Sequence, residues 1–195
     1  MNATVSAPAV SRRRRLPAEA PLWGFVLGDM TVFAMFFVAY LWQLGDDRAG
    51  FAAQAAHLIV WLGLFNTLVL LTSSYLVVRA VHAAQSGSRQ RPWLVGAVVC
   101  AGLFIVSKLG EYTIEVSGGH TLTSSSFFMY YYVLTGLHLL HVVIGSTILV
   151  VWLRSLRHDA APVGRRFIDG AGGYWHMVDL LWLLIFSFLY IGSHS

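Results

Sequence analysis

Five apolar runs, each near the ~20 residues a helix needs to cross a bilayer, leave this chain few folds to choose from. They span about Leu22–Leu44, Leu58–Val81, Trp93–Tyr112, Phe127–Leu153 and Tyr174–Ile191. In hydrocarbon, backbone polar groups must be satisfied within their own segment, so runs of this length become helices. Only 11% of the residues are charged, against about 25% in a soluble domain. The expected architecture is therefore all-α, a polytopic membrane protein. Residues 22–195 form one five-helix domain behind a polar N-terminal tail, residues 1–21.

The tail carries Arg12-Arg13-Arg14-Arg15, then Pro17 and Pro21. The following run is longer than the roughly 7–15 apolar residues of a signal peptide, and it contains Asp29, so it reads as an uncleaved first helix. Basic residues then set the orientation. The tail and the second and fourth loops hold eleven arginines (Arg12–Arg15, Arg79, Arg89, Arg91, Arg154, Arg157, Arg165, Arg166), and the opposite side holds only Arg48. The positive-inside rule puts the N-terminus in the cytoplasm and the C-terminus outside. The net charge of +4 thus reads as topology rather than nucleic-acid affinity. The single Cys100 lies in an apolar run and reads as an inert core residue.

Ionisable groups inside such runs are costly, roughly 2.5–3.5 kcal/mol each for aspartate or lysine, so each needs a partner or a task. At 1.5 Å per residue, Asp29 sits roughly 10 Å in from the cytoplasmic end of the first helix. His176 and Asp179 are expected at similar or shallower depth on the fifth, where Trp175, Asp179, Trp182 and Phe186 share a stripe. With Ser73 and Ser74 they make either a proton-gathering or lipid-headgroup site, or a set of interhelical hydrogen bonds. Gly24-x-x-x-Gly28, and the face Gly63, Thr67, Leu70, Ser74, read as packing seams. Lys108 and Glu111, three apart, read as a mutual pair.

His138 and His141 lie deep on the fourth helix beside Tyr131 and Thr135. Three readings compete: a buried hydrogen-bonded pair, a haem held by facing histidines with His176, and a metal site with Glu111. The His-Glu-x-x-His spacing is absent and no second histidine pair exists, so the expectation is no metal. A small solute transporter would favour inverted repeats and broken helices, and neither is seen.

One motif per helix points to a family: Leu22-Trp23-Gly24-Phe25-Val26-Leu27-Gly28-Asp29-Met30; Asn66 through Ser74; Lys108-Leu109-Gly110-Glu111-Tyr112; Leu134-Thr135-Gly136-Leu137-His138-Leu139-Leu140-His141-Val142-Val143-Ile144-Gly145; and Tyr174-Trp175-His176-Met177-Val178-Asp179-Leu180-Leu181-Trp182. In this order they resemble subunit III of the haem-copper oxidases, in its short five-helix form. The resemblance implies a subunit without a redox centre in a bacterial plasma membrane, packed on subunit I beside subunit II, with haem and copper held by the partner. It also implies phospholipid in a cleft and support of proton uptake from the cytoplasm, with Asp29, Glu111, His138, His141, His176 and Asp179 as candidate residues. Two front helices of larger members are missing, and Asp29 stands where oxidase members usually carry glutamate. Aspartate there, Lys108, and Phe128-Met129-Tyr130-Tyr131 look most like the branch associated with nitric oxide reductase. An accessory role in that enzyme is the alternative, and a bis-histidine haem anchor the second alternative.

Overall fold

A computed structural model describes residues 20–157 and 163–192, the side chains of residues 20–23 and 25 excepted. The arginine tail and the Ala160–Pro162 part of the fourth loop lie outside the described residues. Helices follow as α1 (Ala20–Asp46), α2 (Arg48–Ala55), α3 (Val60–Gln85), α4 (Arg91–Ser117), α5 (Ser126–Ser155) and α6 (Arg165–Phe186), and α6 continues as a π-helical turn over Ser187–Ile191. Five of these, all but α2, are long and apolar enough to cross a membrane.

Local chemistry explains most of the ends. Asp47 Oδ1 accepts from the Gly50 amide at 2.9 Å and starts α2, and Ser125 Oγ caps α5 through the Phe128 amide at 3.2 Å. Gly87 and Gly119 have φ of 68° and 86° in the turns before α4 and α5, a region side-chain-bearing residues avoid. The short α2 was not visible as an apolar run. It tucks Phe51 and Ala55 under the loop it occupies. α6 begins nine residues before the apolar run, because the charged Arg165, Arg166 and Asp169 are also helical. His176 and Asp179 lie roughly 16 and 21 Å along α6 from its start.

α3 packs along α4 and α6, α5 packs along the same two, and α1 rests outside this four-helix core against α5 and α6. The antiparallel order brings Arg79, Arg89, Arg91, Arg154, Arg157, Arg165 and Arg166 to one end of the bundle, called here the basic end. Lipid is as apolar as leucine, so close packing and polar contacts hold the helices together. α1 buries one stripe, Phe33, Phe37 and Tyr40, and the Tyr40 hydroxyl donates to the Phe188 carbonyl at 3.2 Å, inside the π turn. Gly24 and Gly28 form no seam within this chain. Both are exposed and a Cβ at either meets nothing within 4 Å, because the buried stripe of α1 falls on another face. Gly63 sits against Phe186 and Tyr190.

Trp182 Nε1 donates to Thr67 Oγ1 at 3.0 Å, and Thr67 donates in turn to the Gly63 carbonyl at 2.8 Å. Thr67→Val leaves a buried indole donor unpaired and is expected to cost about 1–3 kcal/mol. Thr67→Ser keeps the acceptor and should cost clearly less. Detergent-to-SDS unfolding followed by tryptophan fluorescence compares the two, and equal losses would remove the hydrogen bond from the account.

Candidate functional site

Three polar groups occupy the interior. Towards the end opposite the arginines, Lys108 is fully buried and Glu111 is 1% exposed. Lys108 Nζ donates to Glu111 Oε2 at 3.0 Å, to Tyr131 OH at 3.2 Å and to Tyr190 OH at 3.0 Å. Its three N–H bonds are thereby all used. Glu111 Oε1 accepts from Tyr131 OH at 3.0 Å and from Tyr190 OH. The ammonium also lies 4.7 Å from the Tyr131 ring centre and 5.4 Å from that of Trp182. Every donor and acceptor of the ion pair is thus matched. Tyr190 reaches this cage from the π turn, and Glu115, one helical turn beyond Glu111, is buried behind it.

The second group joins α1 to α5. Asp29 Oδ1 stands 3.0 Å from His141 Nε2, and His141 Nδ1 is 2.7 Å from the Leu137 carbonyl. A carbonyl only accepts, so Nδ1 carries a proton. Nε2 facing a carboxylate oxygen at 3.0 Å then requires one further proton between them, on the imidazole or on the carboxyl. Tyr174 OH lies above, 3.5 Å from the His141 carbonyl. Asp29 Oδ2 is buried and meets no donor among the described residues.

The third group lies on the α3–α6 seam. Ser74 Oγ is 2.7 Å from His176 Nδ1, and Asp179 Oδ1, buried one turn along α6, has no partner among the described residues. Asp29 therefore does not share one cluster with His176 and Asp179. The carboxylates are held by different helix pairs, a lateral arrangement that depth along each helix does not reveal.

The two histidines of α5 do not bond to each other. His138 is fully buried, its ring 5.7 Å from Phe104 and 5.3 Å from Trp182 by centroids, and neither nitrogen meets a protein donor or acceptor. His141 Nε2 and His176 Nδ1 are directed at Asp29 and Ser74 rather than at a ligand opposite His138. The residues do not fit a bis-histidine haem. Among the described residues no three His, Cys, Asp or Glu are grouped to hold a metal ion.

Sequence reasoning overlooked Tyr190 and Tyr174 as members of these groups. Tyr174 had a signal, since it sits on the opening turn of the Tyr174–Trp182 motif. Tyr190 had one as well, since it follows Phe186 by four residues and extends the Trp175, Asp179, Trp182, Phe186 stripe.

Comparison with known proteins fits this architecture. Residues 22–194 match the family described as cytochrome c oxidase subunit III. The cytochrome c oxidase subunit 3 of Corynebacterium diphtheriae is 30% identical, with 82% of this chain covering 78% of that protein. Its namesakes from Bacillus sp. strain PS3 and Thermostichus vulcanus are 28% and 29% identical, over 87% and 86% of this chain and 83% of each relative. With five membrane-crossing helices and a match over nearly its whole length, the chain belongs to the cytochrome c oxidase subunit III family.

Proposed function

We propose that this chain is the non-catalytic third subunit of a cytochrome c or quinol oxidase, seated on subunit I, and that Asp29 and His141 hold a proton on its way from the cytoplasm. The basic end is then cytoplasmic, by the positive-inside rule. Haem and copper belong to the partner, and the role of this chain is to keep proton delivery fast over many turnovers. The observation that carries the reading is the 3.0 Å contact between His141 Nε2 and Asp29 Oδ1, joined to the 2.7 Å contact of Nδ1 with the Leu137 carbonyl. A carboxyl three ångströms from an imidazole nitrogen lets a proton pass between them without separating charge in lipid. The unpaired Oδ2 gives that proton a second way in or out. Phospholipid fits beside it on the open face of α1, where Thr31, Ala34, Met35, Val38, Ala39 and Trp42 line a shallow groove of about 450 Å³.

In the assembled enzyme, Asp29→Asn is expected to leave initial turnover close to normal and to shorten the active lifetime by roughly tenfold or more, the size of a lost proton-transfer contribution. His141→Gln should act in the same direction. Oxygen consumption and proton release followed together through sustained turnover measure both. Normal assembly with unchanged decay in both variants would reject the role. Identifying the co-purifying haem subunit separates an oxidase from a nitric oxide reductase partner.

A further inference from the structure

The basic end holds a recess that the proton pair does not use. It opens between the start of α4 and the end of α5, away from Asp29. One part, about 890 Å³, is lined by Arg89, Arg91, Val95 and Leu156 among others. The adjoining part, about 470 Å³, shares Arg91, Val95 and Leu156 and adds Arg154 and Arg157. Among the described residues, no carboxylate lies within ion-pair distance of these four arginines.

Two further features concentrate positive potential there. Gln90, the residue before α4, spends its side-chain oxygen on Trp152 Nε1 at 2.9 Å, so the first turn of a 27-residue helix has no side-chain cap. The α4 macrodipole adds a partial positive charge at this end. The α5 C-terminus brings a partial negative charge, which Arg154 and Arg157 outweigh. Below the guanidinium groups, Val95, Val150 and Leu153 continue the recess into the apolar belt. Four cations over an apolar wall match one amphiphile, with phosphate at the top and acyl chain beneath.

We infer that the α4–α5 recess is a binding site for an anionic phospholipid, its phosphodiester held by Arg91 and Arg154 and a chain lying on Val95, Val150 and Leu153. Guanidinium pairs suit phosphate because their forked N–H groups bind two oxygens at once. The inference requires only that the chain sits in a membrane, and is independent of the proton role.

Native mass spectrometry on the full chain in dodecylmaltoside tests it, with dioleoyl phosphatidylglycerol, phosphatidylcholine of the same chains, and sodium phosphate as probes. Wild type is expected to retain phosphatidylglycerol at least about fivefold over phosphatidylcholine, the factor one well-placed arginine supplies. Arg91→Gln and Arg154→Gln should each remove about that factor, while Arg91→Lys keeps part of it and Arg165→Gln, outside the recess, keeps all. Circular dichroism confirms that the variants are folded. Equal retention of the two lipids in wild type overturns the site. So does a loss in Arg165→Gln matching that in Arg91→Gln, which means diffuse surface charge. Displacement of the lipid by millimolar phosphate alone makes it a free-anion site and also overturns the proposal.

Discussion

Glu111→Gln is expected to destabilise the isolated subunit by about 3–5 kcal/mol, the range for removing one partner of a buried ion pair. The reason lies in the surroundings of Lys108. Its ammonium is fully buried, and after the change its three N–H bonds point at two phenol oxygens and an amide with no formal charge nearby to balance it. Lys108→Met leaves the carboxylate with two tyrosine donors and no cation, and should fall in the same range. The double variant Lys108→Met/Glu111→Gln removes both charges together. It should cost about 1–3 kcal/mol less than the two single losses added. Unfolding titrations from dodecylmaltoside into SDS, read by tryptophan fluorescence, give all three values. Losses below about 1 kcal/mol for both single variants would place the pair in contact with water, where ion pairs are worth that little. The size of the effect also bears on why such a pair persists. An apolar pair would serve stability as well, so the cage fixes the register of α4, α5 and the π turn at the price of sensitivity to any single change.

That cage was half legible in the sequence. Lys108 and Glu111 stand three apart in an apolar run, and helical geometry alone puts them on one face. Tyr131 was on the inward face of α5 for the same reason. Tyr190 extends the Trp182 and Phe186 stripe by one more i, i+4 step, so its inward direction was legible, but its pairing with Glu111 on α4 was not. The five crossings and the arginine asymmetry were legible because length and charge are properties of a segment by itself. The Asp29–His141 contact was not. Periodicity places each residue on a face and at a depth, but says nothing of which helix lies beside which, and Asp29 was grouped with His176 by depth alone. α2 was missed because eight residues with two buried apolar side chains make too short a pattern. Asp47 followed by Gly50 was the available cap signal.

Glycine gives the plainest case of one residue type with opposite meanings, and the second large prediction. Gly63→Ala and Gly145→Ala are each expected to cost about 1–3 kcal/mol, the penalty for overfilling a packed interior. A Cβ on Gly145 would stand 2.9 Å from two atoms of the Trp175 ring and 3.2 Å from Tyr174. These are rigid rings pressed between α5 and α6, so relief requires the helices to part. Because Tyr174 borders the Asp29–His141 pair, Gly145→Ala should also shorten the active lifetime of the assembled enzyme. At Gly63 the contacts are Phe186 at 2.9 Å and the Tyr190 ring at 2.9 and 3.0 Å. Displacing Tyr190 withdraws a hydroxyl from Glu111, so Gly63→Ala and Glu111→Gln share part of their damage and should combine less than additively, by about 0.5–3 kcal/mol. Gly24→Ala and Gly28→Ala behave in the reverse sense. Nothing lies within 4 Å of either Cβ, and alanine is the better helix former by roughly 0.5–1 kcal/mol, so the isolated chain should gain stability. The same SDS titrations report all four. Additive losses for Gly63→Ala and Glu111→Gln would uncouple the α3–α6 seam from the cage. A stable Gly28→Ala chain that no longer co-purifies with the haem subunit would identify the bare face of α1 as a surface the partner covers.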